Sequence, residues 1–135
     1  MLDPSAVNEM AKSNLPGYLG IVILEIGDVV RAEMAVRENL MAPNGFLHAG
    51  AVVTLADSCA GIGCMASLPV DAAGFTTIEL KSNHLGTARD GVIECTARPL
   101  HMGRSTQVWD AEVLQRGSGK ALAHFRCTQL LMYKN

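Results

Sequence analysis

Basic clusters, paired cysteines and an apolar leader are what this chain of 135 residues lacks, and each absence removes a class of function. Eleven Lys and Arg against thirteen Asp and Glu leave a net charge of −2. The cations are scattered, so there is no footprint for a nucleic-acid backbone, and a small neutral or anionic metabolite is the better partner. Cys59, Cys64, Cys95 and Cys127 form neither a CxxC pair nor a Cys/His grouping at zinc-ligand spacing. They read as small hydrophobes in a reducing compartment, with no metal site. The opening residues, MLDPSAVNEMAK, show no basic region followed by an apolar core and a cleavage site, so no signal peptide is expected and the cytoplasm is the default location. The length fits one domain, in which residues 1–17 form an N-terminal helix and linker.

Charge is also missing from the longest apolar stretch. Between Ala49 and Ala66 there is no Lys, Arg or Glu, and Asp57 is the one acid. Pro43, Asn44 and Gly45 break the chain before it and Pro69 follows, which predicts one helix of about 18 residues, roughly 27 Å long. Its apolar residues, Val52, Val53, Leu55, Ala56, Cys59, Ala60, Ile62 and Met65, go round the whole cylinder, the pattern of a helix enclosed by other structure. Asp57 is then buried with it. An N-cap role for Asp57 fits poorly, because Gly61 and Gly63 would become the interior of the shorter helix. A membrane span of this length fits no better: the segment is rich in Ala and Gly, has an acid near its centre and lacks flanking cations. A carboxylate held in a cleft for chemistry is the stronger reading.

Around this helix the chain reads as strands. A short amphipathic helix is expected over 3–14, capped by Asp3 or Ser5, with Val7, Met10 and Ala11 on one side and no chemistry of its own. Strands at 19–26 and 29–36 flank a Gly27-Asp28 turn. Four more, at 75–85, 92–100, 104–114 and 120–133, are joined by short Gly-containing loops and predict an antiparallel meander. In the third of these Gln107, Trp109, Ala111 and Val113 share one face. The sum is an α+β domain in which an antiparallel sheet curls round one helix, and a domain this small needs an oligomer to finish covering that helix.

G-x-x-H-A-G over 45–50, T-L-A-D over 54–57, T-I-E-L-K-S-N-H-L over 77–85 and H-M-G-R-S over 101–105 resemble the hotdog-fold thioesterases of the PaaI type, from about Leu19 onward. The resemblance implies an acyl-CoA thioesterase that needs no cofactor, coenzyme A being part of the substrate. It also implies dimers joined edge to edge through their sheets, with helices side by side and the acid of one subunit facing the helix start of the other. Such dimers are expected to pair into a homotetramer in a mode the sequence leaves open.

Thioester hydrolysis needs an activated water or nucleophile and donors for the oxyanion. The amides of Ala49 and Gly50 have no intrahelical acceptors and lie at the positive end of the helix dipole, which makes them candidate oxyanion donors unless Asn44 caps them. Asp57 is eight residues further on, about 12 Å along the axis, so it cannot serve a carbonyl bound at its own helix start. As the resemblance has it, Asp57 is the base or nucleophile for the neighbouring subunit's site, His48 orients the acyl group or the loop, and the Thr77 hydroxyl holds the water. A lone His is as readily structural. Many relatives carry Asn or Gln where this chain has Ala42; Asn44 substitutes only if the loop turns differently, and Gly45 shares that loop. The acyl-CoA is expected to run along the strand ends near Leu85, Gly86 and Ala88 and near Gly103, Arg104 and Ser105, with Arg104 on a phosphate and Arg89 or Lys81 assisting. Val53, Leu55, Cys59 and Met65 are the expected acyl pocket.

Two other readings stay open. A non-catalytic acyl-CoA binder is favoured by Ala42. A hydratase or dehydratase on the same fold would pair His48 with Asp57, although the proline-bracketed loop of such enzymes is missing.

Overall fold

The computed structural model describes residues 2–134. Its centre is the helix α3, Ala49–Ala66, whose ends are where the sequence pattern put them. Before it come the short helices α1 (Pro4–Ala11) and α2 (Leu15–Tyr18), strands β1 (Val22–Ile26) and β2 (Val30–Ala35), and a 3-10 turn at Glu38–Leu40. Four strands follow: β3 (Ala72–His84), β4 (Val92–Met102), β5 (Thr106–Gln115) and β6 (Ala121–Tyr133). Asp3 caps α1 as expected, its carboxylate accepting the Ser5 amide at 3.0 Å. Of that helix's expected apolar face, Val7 is buried, Ala11 is half-buried and Met10 is exposed. The expected strand at 19–26 is shorter at its start, because Pro16 favours the first turn of α2 instead.

All six strands form one antiparallel sheet in the order β1-β2-β4-β5-β6-β3. This corrects the expected four-strand meander. Of those four strands, β4, β5 and β6 are neighbours in sequence order, whereas β3 crosses to the far edge and pairs with β6 from Ala72↔Tyr133 to His84↔Ala123. Short loops had suggested adjacency, but β3 leaves α3 on the side remote from β2, and β4 is already paired with β2 through Val30↔Ala97 to Ala35↔Val92.

The concave face of the sheet packs on α3. Val30, Ala32 and Met34 of β2, Ile93, Cys95 and Ala97 of β4, Trp109, Ala111 and Val113 of β5, and Phe125 and Cys127 of β6 are all buried there. The alternation read in β5 therefore holds. Gly63 is the point of closest approach: a Cβ at that position would lie 2.4 Å from the Trp109 ring. The eighteen residues of α3 are long and apolar enough to cross a bilayer by composition, but strands close over Leu55, Ala56, Cys59 and Ala60, which makes it a core helix.

Enclosure is nevertheless incomplete, contrary to the expectation of burial all round. Val53, Thr54, Asp57, Ser58, Gly61 and Ile62 are only half-buried and Met65 is exposed. At three- and four-residue spacing these positions make one continuous stripe turned away from the sheet. Asp57 sits in the middle of it, half-buried where full burial was expected.

The two free edges of the sheet are treated differently. Asn8 of α1 closes one: its amide donates to the Ile23 carbonyl at 3.0 Å and its oxygen accepts the Ile23 amide at 2.8 Å, imitating a neighbouring strand. The thirteen-residue β3 leaves the other open, with Ile78 and Leu80 exposed along it.

Candidate active site

The loop that leads into α3 is a tight turn. Ala42 donates its amide to Phe46 and accepts from Gly45, whose φ of 86° is the left-handed conformation that glycine adopts without strain. Asn44 accepts the Phe46 amide through its side chain at 3.1 Å. That oxygen is engaged within the turn, and the cap of α3 is another residue.

His48 is the cap. Its Nδ1 accepts the Gly50 amide at 2.8 Å, which fixes that nitrogen as unprotonated. The structure thus assigns the histidine the local role that an N-cap Ser or Asp fills elsewhere, a role the sequence reading left between loop and substrate. It also corrects the expectation that both first amides are free. The Gly50 N–H is engaged, while the Ala49 N–H meets no acceptor among the described residues. A cavity of about 290 Å³ opens beside this end, lined by His48, Gly50, Ala51 and Thr54 with Tyr18, Leu19 and Met41.

Asp57 belongs to a different cavity. The sheet curls so far that its edge strands β1 and β3 face each other across α3, and in the seam lies a space of about 240 Å³ lined by Asp57, Ser58, Gly61, Ile62 and Met65 of the helix, Ile21 and Ile23, Phe75 and Thr77, and Val7, Asn8 and Ala11 of α1. Burial pushes the Asp57 carboxyl above the usual carboxylate range, and its Oδ1 is buried with no hydrogen-bond partner among the described residues. Thr77 reaches the same space from β3, its hydroxyl donating to the Gln129 side chain at 2.6 Å. The acid and Thr77 are therefore brought together, whereas His48 and Gly50 line the other cavity and Ala49, exposed, sits between them in sequence.

Several expected contacts are not made. Of the proposed acyl pocket only Met65 lines the Asp57 cavity; Leu55 and Cys59 are fully buried in the core, Cys59 donating to the Val30 carbonyl at 3.2 Å, and Val53 packs against that core. The walls come instead from α1 and β1. The sequence signal for this was weak: Val7 and Ala11 share a face of a helix that had no assigned partner.

The two strand-end segments expected to flank one coenzyme A lie far apart. Leu85 and Gly86 donate to Leu122 while Leu131 donates to Ser105, so they sit nine residues of β6 apart, about 30 Å at strand rise. Within one subunit they lie toward opposite ends of β6. Arg104 is also committed: it forms a two-pronged pair with Asp71 at 2.8 and 3.3 Å and stacks 4.3 Å from the Tyr133 ring centroid. Lys81 points to the outer face of the sheet, where it is in register with Arg126 and lines a polar groove with Arg98, Asp110 and His124. Arg89 alone of these cations stands near the helix start, over the Phe46 ring at 4.4 Å, on the segment whose Ala88 carbonyl accepts the Leu47 amide.

Comparison with known proteins accords with this geometry. Residues 44–122, more than half the chain, match the family model described as the thioesterase superfamily. A 1,4-dihydroxy-2-naphthoyl-CoA hydrolase of Listeria monocytogenes is 37% identical over 108 residues, 80% of this chain and 85% of the relative. One of the same name from Escherichia coli is 33% identical over 130 residues, 94% of this chain and 93% of the relative. Among solved structures, a thioesterase of Pseudomonas aeruginosa, crystallised as a glutamine-to-alanine variant, superposes with a TM-score of 0.93 at 30% identity, covering 99% of this chain and 96% of the other. With a curled sheet round one helix, an acid on that helix and relatives of this likeness along nearly its whole length, the chain belongs to the thioesterase superfamily and is a thioester hydrolase of the hotdog fold.

Proposed function

We propose that this protein hydrolyses an acyl-CoA whose acyl group is aromatic or of medium chain length, at sites each built from two subunits. The observation that carries the reading is the division of α3 into two cavities, with a candidate base at one and a candidate oxyanion donor at the other, about 12 Å apart along the axis. Neither half hydrolyses a thioester alone. A second copy laid antiparallel against the half-buried stripe of α3 brings the Asp57 of one chain to the Ala49 amide of the other. The open edge of β3 supports the same arrangement, since a long strand with one open edge and exposed Ile78 and Leu80 is a template for pairing with its own copy.

In this site the thioester carbonyl meets the Ala49 N–H, with the Gly50 N–H joining when the His48 ring turns off it. Asp57 of the other subunit removes the proton of a water held by Thr77, the water oxygen bonds to the carbonyl carbon, and collapse breaks the carbon–sulfur bond; the thiolate takes the proton back from Asp57, releasing coenzyme A and a free acid and restoring the base. The apolar walls Val7, Ile21, Ile23, Ile62 and Phe75 suit an acyl group without charge, and the Phe75 ring suits an aromatic one. The hydroxynaphthoyl thioesters in the names of two relatives are of this class. No cofactor takes part, and a cytoplasmic location fits the substrate. The test is release of free thiol from a panel of acyl-CoAs: Asp57→Asn should lose turnover and keep the fold, and retention of wild-type turnover would refute the assignment. Ala42 keeps one rival in view, a binder that takes up acyl-CoA saturably and releases thiol in no more than trace amounts.

A further inference from the structure

Two glutamines, Gln107 and Gln129, are the polar side chains almost wholly removed from solvent among the described residues, at 1% and 0% exposure. They face each other across β5 and β6. Gln107 has an evident structural task. Its Oε1 accepts the Trp109 indole N–H at 2.8 Å and lies 3.3 Å from the Ser67 hydroxyl, which donates more closely to the Gly63 carbonyl at 2.8 Å, so the amide sits where the end of α3 meets the sheet. Gln129 has none of this kind. Its one bond is to Thr77, and its Nε2 is buried with no partner among the described residues. A buried amide with an unmet donor costs stability that an apolar residue of the same shape would not, so packing does not account for glutamine here.

What Gln129 does is fix a proton. A threonine hydroxyl has one hydrogen to give and two lone pairs to accept with. Because Gln129 Oε1 takes the hydrogen at 2.6 Å, Thr77 turns only lone pairs toward the cavity it shares with Asp57. Asp57 is also close to this strand, since after burial its charge is the next cause that pushes the Cys127 thiol up to about 12. We infer that Gln129 is a positioning residue for the hydrolytic water: by holding the Thr77 hydrogen on the far side, it makes Thr77 an acceptor only. The water then gives one proton to Thr77 as a hydrogen bond and the other to Asp57 as a base, and one of its two lone pairs faces the thioester carbon. A Thr77 free to rotate would donate to the Asp57 carboxylate, occupying the base and turning the water. The inference rests on the reading of Asp57 as that base.

The experiment uses Gln129→Met, which keeps length and removes the amide, beside Thr77→Val, Thr77→Ser and the double variant Thr77→Val/Gln129→Met in the full chain. Thermal unfolding and steady-state thiol release from an aromatic acyl-CoA are measured for each. Gln129→Met is expected to melt no lower than the parent while kcat falls at least tenfold and KM stays within twofold. Its acid limb in the pH profile should move to lower pH, because the released Thr77 hydroxyl now stabilises the ionised Asp57. Thr77→Ser should keep most of the activity, and the double variant should be no slower than Thr77→Val, since Gln129 acts only through that hydroxyl. A Gln129→Met that melts lower with kcat intact, or that costs the same factor in the Thr77→Val background, overturns the inference. Failure of the underlying reading shows separately, as turnover by Asp57→Asn with Gln129 untouched.

Discussion

His48 Nδ1 lies 2.8 Å from the Gly50 amide nitrogen, so the helix that carries Asp57 starts with one of its donors held by a side chain. Two substitutions separate the capping role from the chemical one. His48→Ala should cost about 1 kcal/mol, the usual worth of an N-cap, seen as a melting point lower by roughly 4 °C. His48→Asp should recover that stability, because a carboxylate caps well and favours the helix dipole, yet it sets a negative charge where the oxyanion forms. We expect kcat/KM to fall at least about tenfold, equivalent to roughly 1.4 kcal/mol of transition-state stabilisation. A fully active His48→Asp would mean that the carbonyl is bound elsewhere.

Asp57 gives a prediction whose sign depends on pH. Burial favours its neutral form, so the folded chain holds this proton more tightly than the unfolded chain does. The group contributes nothing below the ordinary carboxylate range and becomes destabilising as pH rises through its elevated folded value. Asp57→Asn should therefore melt higher than the parent at pH 8, with the difference closing near pH 4. Turnover should fall about 10²–10⁴-fold, the range for loss of a general base, and the parent's kcat/KM should decline on acidification at a pH above the ordinary carboxylate range. Equal melting points at both pH values would show that the carboxylate is not desolvated.

Much of this was legible in the sequence because it rests on local pattern. The limits of α3 follow from Pro43, Gly45 and Pro69, and the inward face of β5 follows from strict alternation at Gln107, Trp109, Ala111 and Val113. What could not be read depends on long-range pairing. Nothing local tells β3 to join β6 rather than β4, and that choice places Thr77 opposite Gln129 and makes β3 an edge. Composition treated α3 as uniformly apolar, yet a curled sheet covers only one side of a cylinder, which is why Asp57 and Gly61 lie on a half-open stripe. Arg104 read as a free cation because its partner Asp71 is 33 positions away.

The two glycines flanking Ile62 should respond in opposite ways to alanine. At Gly63 the added Cβ meets the Trp109 ring at 2.4 Å, and that ring cannot retreat while its indole N–H holds Gln107. Overpacking of about 1–3 kcal/mol exceeds the gain of about 1 kcal/mol from replacing a helical glycine, so Gly63→Ala should be destabilised in urea or guanidinium unfolding. At Gly61 the nearest atom is Phe75 Cζ at 3.7 Å, an ordinary contact. Gly61→Ala should therefore gain up to about 1 kcal/mol, and because it lines the Asp57 cavity it should raise KM for bulky aromatic acyl groups more than for short ones. The same shift for every acyl length would place the acyl group outside this cavity.

The shared site can be tested without a structure of the dimer. Ala49 is the first residue of α3, where proline is tolerated, and His48 ahead of it has φ −64° and ψ 133°, the extended conformation that a following proline requires. Ala49→Pro therefore deletes the N–H offered to the oxyanion, one that makes no bond among the described residues, and leaves the helix standing. Alone it should be slowed about 10²–10³-fold, and Asp57→Asn alone about 10²–10⁴-fold. Mixed dimers of the two pair the intact helix start of the Asp57→Asn chain with the intact acid of the Ala49→Pro chain, giving one sound site and one with both lesions. Random mixing of the subunits should then restore about a quarter of the wild-type rate, since half the dimers are mixed and each has one site of two. A site lying within one subunit has no such rescue, because every subunit in the mixture carries a lesion, and activity would stay at the sum of the two parents.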